Sequence, residues 1–296
     1  MSGLPPAVLD AVAALGGRVR SAEPVGGGDS AHAACADTDG GPVFVKWASG
    51  EAGGGFGFEA EGLAALAASA GSALVVPTPL GWADADGSTP GWLVLPWIET
   101  ARPSRADWLQ FGAALAALHR RPPPAPEATP YGWSHDNRIG SKLQRNRWET
   151  SWPTFFGEHR LRAQAETVRL RGVWRRDWDG PLDRLVQRLP DVLPEHPTPS
   201  LLHGDLWAGN AVPTADGRFA LIDPAVSVGD READLALTRL FGGFAPPFYD
   251  GYAEAWPLAP GADERMELYN LFHRINHLTH GPGYAAGVDA VLRRYA

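Results

Sequence analysis

The chain of 296 residues is 44% hydrophobic and only 20% charged, enough apolar side chain to bury a full core and too little charge for a wholly disordered chain. A formal net charge of −8 argues against a protein that grips nucleic acid through bulk positive charge. The single cysteine, Cys35, rules out an internal disulfide. Met1–Asp10 has no basic start of the kind an export signal carries, and no run approaches the ~18 apolar residues that a spanning helix needs. A cytoplasmic protein with no membrane and no nucleic-acid partner is therefore expected. Fixed-period repeats, zinc-type cysteine pairs and heptads are absent from the sequence. Only two of the 26 basic residues are lysine, Lys46 and Lys142, so a lysine at a chemically useful position carries extra information.

In chain order, residues 7–18 place Val8, Leu9, Val12 and Leu15 near helical spacing. Gly26, Gly27 and Gly28 open a glycine loop between two extended segments. The second of these, 31–37, turns at Asp39-Gly40-Gly41 and returns as Val43–Trp47, a hairpin pattern. The glycine-rich stretch 50–57 leads into a helix carrying Glu59, Glu61, Leu63 and Leu66. Val75–Pro79 and Trp92–Trp97 read as two further strands. Beyond Glu99 the character changes. Ser104 and Asp107 form a capping-box-like start to a helix with Trp108, Phe111, Leu115 and Leu118 on one face. A proline-rich loop (122–130) and an aromatic, polar segment (131–140) follow. Residues 148–171, 181–193 and most of 229–296 read as helices. The expected architecture is α+β, a two-lobed protein-kinase-like fold. Its β-rich N-terminal lobe (1–98) and mainly helical C-terminal lobe (99–296) meet at a hinge near 95–99.

The chemistry concentrates in Leu201–Asn210 and Leu221–Pro224. Asp216-Gly217 between them is a strong two-residue turn signal. If that turn closes the hairpin, Asn210 and Asp223 sit directly opposite, with Cβ atoms on the order of 5 Å apart. An amide oxygen and a carboxylate at that spacing suit one hard cation such as Mg²⁺. Asp205 then stands at the mouth of the same cleft, placed to accept a proton from an acceptor hydroxyl. Aspartate base, asparagine on metal and aspartate on metal together form the polar set of kinase-type phosphoryl transfer. Lys46 suits the phosphate-pairing role, and Glu61 its anchor on the following helix, with Glu59 a neighbouring candidate. Gly26–Ala31 reads G-x-G-x-x-A, and the Gly-Lys-Ser/Thr of a Walker A loop does not follow it.

His203-Gly204-Asp205-Leu206-Trp207-Ala208-Gly209-Asn210 resembles the signature of the fructosamine-3-kinase (ketosamine kinase) family, similar in fold to aminoglycoside phosphotransferases and choline kinases. Gly26–Gly28, Val45-Lys46, Asp136–Gly140, Trp148, Phe155-Phe156, Arg160-Leu161, Gly229–Ala236 and Leu268–His277 follow in family order, so the resemblance spans nearly the whole chain. It implies ATP- and Mg²⁺-dependent phosphorylation of the 3-hydroxyl of a fructosamine or ribulosamine, on a small amine or a glycated protein, leading to deglycation. Several family members carry a cysteine in the glycine loop where this chain has Asp29, so redox control there is not expected.

Leu95 and Trp97, in the hinge, are expected beside the adenine. His203 and Asp234 are expected to brace the catalytic loop, and Trp207, His135, Asp136, Asn137 and His277 to meet the acceptor. His273, His277 and His280 share a helical face but lack an acidic partner at zincin spacing, so packing or substrate contact is expected rather than metal. Two rivals remain at this point: a related kinase acting on an aminoglycoside, choline or another amino alcohol, and a catalytically silent nucleotide-binding scaffold.

Overall fold

The computed structural model describes residues 3–26 and 31–296, so Gly27 and Gly28 lie outside the described residues. The front lobe is a five-stranded antiparallel sheet in the order β1-β2-β3-β6-β5. Helix α1 (Pro6–Gly16) is followed by β1 (Val19–Pro24), β2 (His32–Thr38) and β3 (Gly41–Ala48), and the hairpin turn falls at Asp39-Gly40 as the sequence predicts. Alternation along these strands divides their side chains between two faces. Ala34, Ala36, Val43 and Val45 pack against Val8 and Val12 of α1. Phe44 and Lys46 are turned to the opposite face, where α2 (Gly50–Gly53) and α3 (Phe56–Ser69) lie. There Phe56, Ala60 and Leu63 pack on Leu93 and Leu95. A two-residue strand β4 (Leu74–Val75), then β5 (Gly81–Ala83) and β6 (Gly91–Pro96), complete the front half.

From Pro96 the chain runs past the hairpin of β10 (Ala211–Pro213) and β11 (Phe219–Leu221), where Glu99 O accepts from Ala215 N at 2.8 Å and Thr100 bridges Thr214. β4 joins that same hairpin, pairing parallel to β11 (Phe219 with Leu74, Ala220 with Val75). α4 (Arg105–Arg120) carries the predicted capping box. Ser104 Oγ accepts from Asp107 N at 3.2 Å, and the Asp107 carboxylate accepts from Ser104 N at 2.7 Å. Its apolar face inserts Phe111, Leu115 and Leu118 into the large core, where the Phe111 ring stacks on Phe219 at 4.3 Å.

β7 (Asn137–Ile139) and β8 (Lys142–Gln144) form a small hairpin. α5 (Trp152–Phe155), a π-helical turn (Phe156–Arg162) and α6 (Ala163–Leu170) then run as one helical stretch, followed by α7 (Asp179–Val192). β9 (Pro199–Leu202) pairs with β12 (Ser227–Asp230), and α8 (Glu232–Leu240), α9 (Pro246–Ala255), α10 (Ala262–His277) and α11 (Ala285–Tyr295) close the helical lobe. The α+β, two-lobed kinase-like architecture is thus present. Among the described residues, no helix is long and apolar enough to cross a membrane.

Three expected boundaries move. The strand expected over 75–79 stops at Val75, because Pro77 and Pro79 cannot donate to a ladder. The helix expected from 148 begins at Trp152, because Glu149 is held in a backbone bridge with Tyr131 and Ser151 caps the helix. Gly229 and Asp230 end a strand, so the helical tail starts at Glu232.

Ser104→Ala removes the α4 cap without touching the cleft. It should lower unfolding stability by about 1 kcal/mol, read as an unchanged m-value and a lower urea midpoint.

Candidate active site

The β10–β11 hairpin presents the first polar group, with a register one residue away from that expected. Ala211 faces Leu221, Pro213 faces Phe219, and Ile222 N donates to Asn210 O at 3.1 Å, so Asn210 sits opposite Ile222 and not Asp223. The cause is the turn. It is three residues long, Ala215–Gly217, closed by Thr214 N donating to Arg218 O at 2.9 Å, with Gly217 at φ +84°. That left-handed third position is the glycine of a three-residue hairpin, which the Asp-Gly pair alone does not distinguish from a two-residue turn. Asp223 reaches the cleft by another route. Its own backbone is left-handed, φ +53°, the one such non-glycine among the described residues, at a cost of about 1–2 kcal/mol. Asn210, Asp223, Asp205, Lys46 and Trp207 line one cleft of about 530 Å³ between the lobes.

The loop after β9 is held by Asp234, the first-turn carboxylate of α8. It accepts from His203 N at 2.7 Å and Gly204 N at 2.9 Å, and stands 3.2 Å from His119 Nε2, whose Nδ1 meets Tyr252 Oη at 2.9 Å. His203 Nε2 lies 2.9 Å from Ile222 O while its Nδ1 accepts from Asp205 N at 3.2 Å. Those partners place the hydrogen on Nε2 and leave the ring neutral, and burial holds its pKa below the usual imidazole value. His203 and Asp234 therefore brace Asp205 rather than face the cleft. No motif marks His119, although Phe111, Leu115 and His119 recur every fourth residue along one buried helix face. Trp207 lies so close over Gly209 that a Cβ there would stand 2.2 Å from the ring, so only glycine fits beneath it.

Asn210 Nδ2 donates to Asp205 O at 2.8 Å and to Asp205 Oδ2 at 3.2 Å. This orients the Asp205 carboxylate and commits the amide nitrogen. Lys46 Nζ, 12% exposed, crosses from the front sheet to donate to Asp223 Oδ1 at 2.6 Å and to Glu59 Oε2 at 3.0 Å. Glu59 is therefore the anchor, which corrects the expectation for Glu61. The two glutamates stand two positions apart along α3, and a ~100° step per residue turns Glu61 about 200° away from Glu59. Glu61 instead accepts from Trp133 Nε1 at 3.1 Å and pairs with His135 Nε2 at 2.9 Å.

Burial pulls the Lys46 ammonium down, but the two carboxylates outweigh it and hold its pKa above the usual lysine value. Burial and Asp223 push the Glu59 carboxyl up, and Glu59 Oε1 is buried without a hydrogen-bond partner. Asp223 stays below the usual carboxylate value, because Lys46 overcomes the cost of burial. Burial, then the charge of Asp223, raises Asp205 to about 7.

The other expected residues divide. His277 lines the cleft beside Phe241, His280 and Tyr284, with ring centroids 4.9 Å from Phe241 and 5.1 Å from Tyr284. His273 is turned into the core and burial lowers its pKa to about 3, so the three histidines do not converge. Among the described residues, no group of three or more His, Cys, Asp or Glu side chains is arranged to hold a metal by itself. His135, Asp136 and Asn137 do not line the cleft, against expectation. Asp136 accepts from Asn146 N at 2.8 Å, and Asn137 is buried, bonded to Val226 O, Gln144 and Asn146. The side chains of Leu95 and Trp97 are likewise not part of the lining, and Leu95 packs beneath α3. Gly26 is described but does not line the cleft.

Two lobes around a cleft that gathers a lysine, two aspartates and an asparagine define a kinase-type phosphotransferase. The chain matches the fructosamine kinase family over residues 7–296 and belongs to that family. It is 40% identical over 240 residues to a probable ketoamine kinase of Synechocystis, covering 80% of this chain and 78% of that one. To the chloroplastic protein-ribulosamine 3-kinase of rice it is 33% identical, covering 94% and 79%. A crystal structure of a candidate fructosamine-3-kinase from Haemophilus somnus superposes with a TM-score of 0.84 at 27% identity, covering 97% of this chain and 96% of that one.

The raised Asp205 carboxyl has a consequence for stability. Its folded pKa of about 7 lies above the unfolded value of roughly 3.9, so the folded state binds the extra proton and loses stability as pH rises across that window. In nucleotide- and metal-free protein, Asp205→Asn should be more stable than the parent at pH 8 by on the order of 1–2 kcal/mol. The gap should close near pH 4. Urea midpoints with equal gaps at both pH values would contradict the assignment.

Proposed function

We propose that this protein transfers the γ-phosphoryl group of ATP to the 3-hydroxyl of a ketosamine, a fructosamine or ribulosamine adduct, with Mg²⁺ as the metal. The observation that carries the reading is the meeting of Lys46, Asp205, Asn210 and Asp223 in one cleft, although they come from separate stretches of the chain. The names of the relatives, ketoamine kinase and protein-ribulosamine 3-kinase, support the ketosamine as acceptor.

In this reading Asp205 orients the acceptor hydroxyl and takes its proton as the oxygen attacks the γ-phosphorus and ADP departs. A carboxyl near 7 is matched to that task at neutral pH. Lys46, anchored by Glu59, supplies the fixed cation for the nucleotide phosphates. The Asn210 amide oxygen, its NH₂ already committed to Asp205, and the second oxygen of Asp223 are hard donors left for a cation. Mg²⁺ bound there would neutralise charge on the phosphates. A site with two protein oxygens and room for phosphate suits an ion that rarely takes an all-protein cage. The backbone of Leu95–Ile98 is assigned to the adenine, with the nucleotide-binding lobe up to 98 and the acceptor lobe beyond it. Trp207 and His277 are assigned to the acceptor. A phosphate placed on the 3-oxygen becomes a leaving group next to an enolisable ketosamine, so the product breaks down and frees the amine, which is deglycation.

Incubation with ATP and Mg²⁺ should give ADP and a 3-phosphorylated product from ketosamines. Turnover confined to choline or aminoglycosides would reject the acceptor assignment. Asp205→Asn should bind nucleotide near normally yet lose on the order of 10³-fold in kcat, and retention of most turnover would remove Asp205 from its role. Glu59→Gln should weaken kcat/KM for ATP by roughly tenfold or more, whereas Glu61→Gln should stay within about twofold. The reverse ranking would restore Glu61 as the anchor.

A further inference from the structure

Both lysines of this chain line the cleft, and the function proposed above uses only Lys46. Lys142 opens β8, immediately after the Gly140-Ser141 turn of the small hairpin, where it pairs with Ile139. Its side chain is 3% exposed, yet it borders the same space as Asp205, Asn210 and Trp207. Among the described residues its ammonium has no hydrogen-bond or ion-pair partner. A lysine held in a pocket wall with no carboxylate in ion-pair contact is costly to keep charged. Burial, reinforced by nearby Arg171 and opposed by Asp205, draws its pKa down to about 8. A second cation stands on the same hairpin. Arg138 donates to Ser141 O at 2.8 Å and lines the cleft, and its Nε is buried without a partner. Arg138 also pairs with the exposed Glu51 at 3.6 Å, so of the two it is Lys142 that has no ion pair among the described residues.

The place of Lys142 decides which part of a bound complex it meets. Its hairpin belongs to the C-terminal lobe, where Gln144 donates to Ala225 O at 3.0 Å and Asn137 to Val226 O at 2.8 Å, and Lys142 shares the cleft lining with Trp207 and His277, the residues assigned to the acceptor. An anion carried by the acceptor can therefore reach it.

We propose that Lys142, with Arg138 beside it, forms an anion subsite that selects ketosamines bearing a negative group, foremost the free carboxylate of a glycated amino acid. In an adduct on a protein lysine the corresponding carboxyl is tied up as a peptide bond, so the subsite favours small glycated amino acids over glycated proteins. A phosphate on the sugar offers the same charge from the other end of the acceptor. This inference rests on the ketosamine kinase reading.

The test compares kcat/KM for the fructose adduct of glycine, the same adduct of glycinamide, and the glycinamide adduct of fructose 6-phosphate, in the parent protein and in Lys142→Met, which keeps the length of the side chain. The parent should favour one of the anionic acceptors over the neutral amide by roughly ten- to hundredfold. Lys142→Met should bring that ratio to within about twofold, and Lys142→Arg should keep part of it. Preference for the carboxylate places the anion on the amine side, and preference for the phosphate places it on the sugar. Equal turnover of all three by the parent, or an equal loss on all three in Lys142→Met while Lys142→Arg restores nothing, overturns the subsite and leaves the kinase reading intact. No phosphorylation by the parent of any of the three, or of their ribulose counterparts, refutes the ketosamine reading itself. Urea unfolding of both variants separates a folding defect from a lost contact.

Discussion

The contact on which the rest of this structure depends is the one Lys46 makes across the cleft. A single ammonium on the front sheet holds one carboxylate from its own lobe, Glu59, and one from the far side, Asp223. Two negative charges on one positive leave the buried group short of a cation. The strain is visible in Glu59, whose carboxyl is pushed toward its neutral form and whose second oxygen finds no partner. Breaking such a buried set is expensive, while completing it with further positive charge relieves it. The same arrangement that ties the lobes together therefore creates a demand for further positive charge in the cleft.

Behind it, the loop that carries Asp205 is held mainly by hydrogen bonds. Asp234 gathers two consecutive backbone amides and His119, His203 passes the constraint from Ile222 O to Asp205 N, and Asn210 fixes the Asp205 carboxylate from the front. Asp234, His119, His203 and Asn210 are themselves buried, which holds each of them in place. Asp205 can be held in a half-hidden position, with a raised pKa, because the loop beneath it has no freedom to turn away.

Much of this was legible in the sequence, and the places where it was not have physical causes. The front hairpin, the α4 cap and the convergence of Asp205, Asn210 and Asp223 follow from alternation, capping chemistry and an ordered polar set. The register of β10–β11 was misread, because Asp216-Gly217 serves a three-residue turn as well as a two-residue one, and only the φ of Asp223 then returns its carboxylate to the cleft. Glu61 was preferred to Glu59 because both lie on one helix and pattern alone does not fix the helix's rotation about its axis. His135, Asp136 and Asn137 form part of a recognisable motif. A polar motif can build a wall as well as face a ligand, and Asn137 spends its amide entirely on Val226, Gln144 and Asn146. Nothing in the spacing marked Lys142, whose burial is a product of tertiary packing.

The short strand β4 has an effect out of proportion to its two residues. By running alongside β11 it splices the chain just beyond α3 directly into the hairpin that carries Asn210, and Leu66 and Leu74 are absorbed into the helical lobe's core. The halves are stitched at several seams, among them the 97–101 strap, this ladder and the Glu61 contacts to Trp133 and His135, rather than swinging on a single thread. Any opening of the cleft is thereby confined to a rocking motion about those seams, and the distance between Lys46 and its far carboxylate becomes a gauge of how far the jaws have parted.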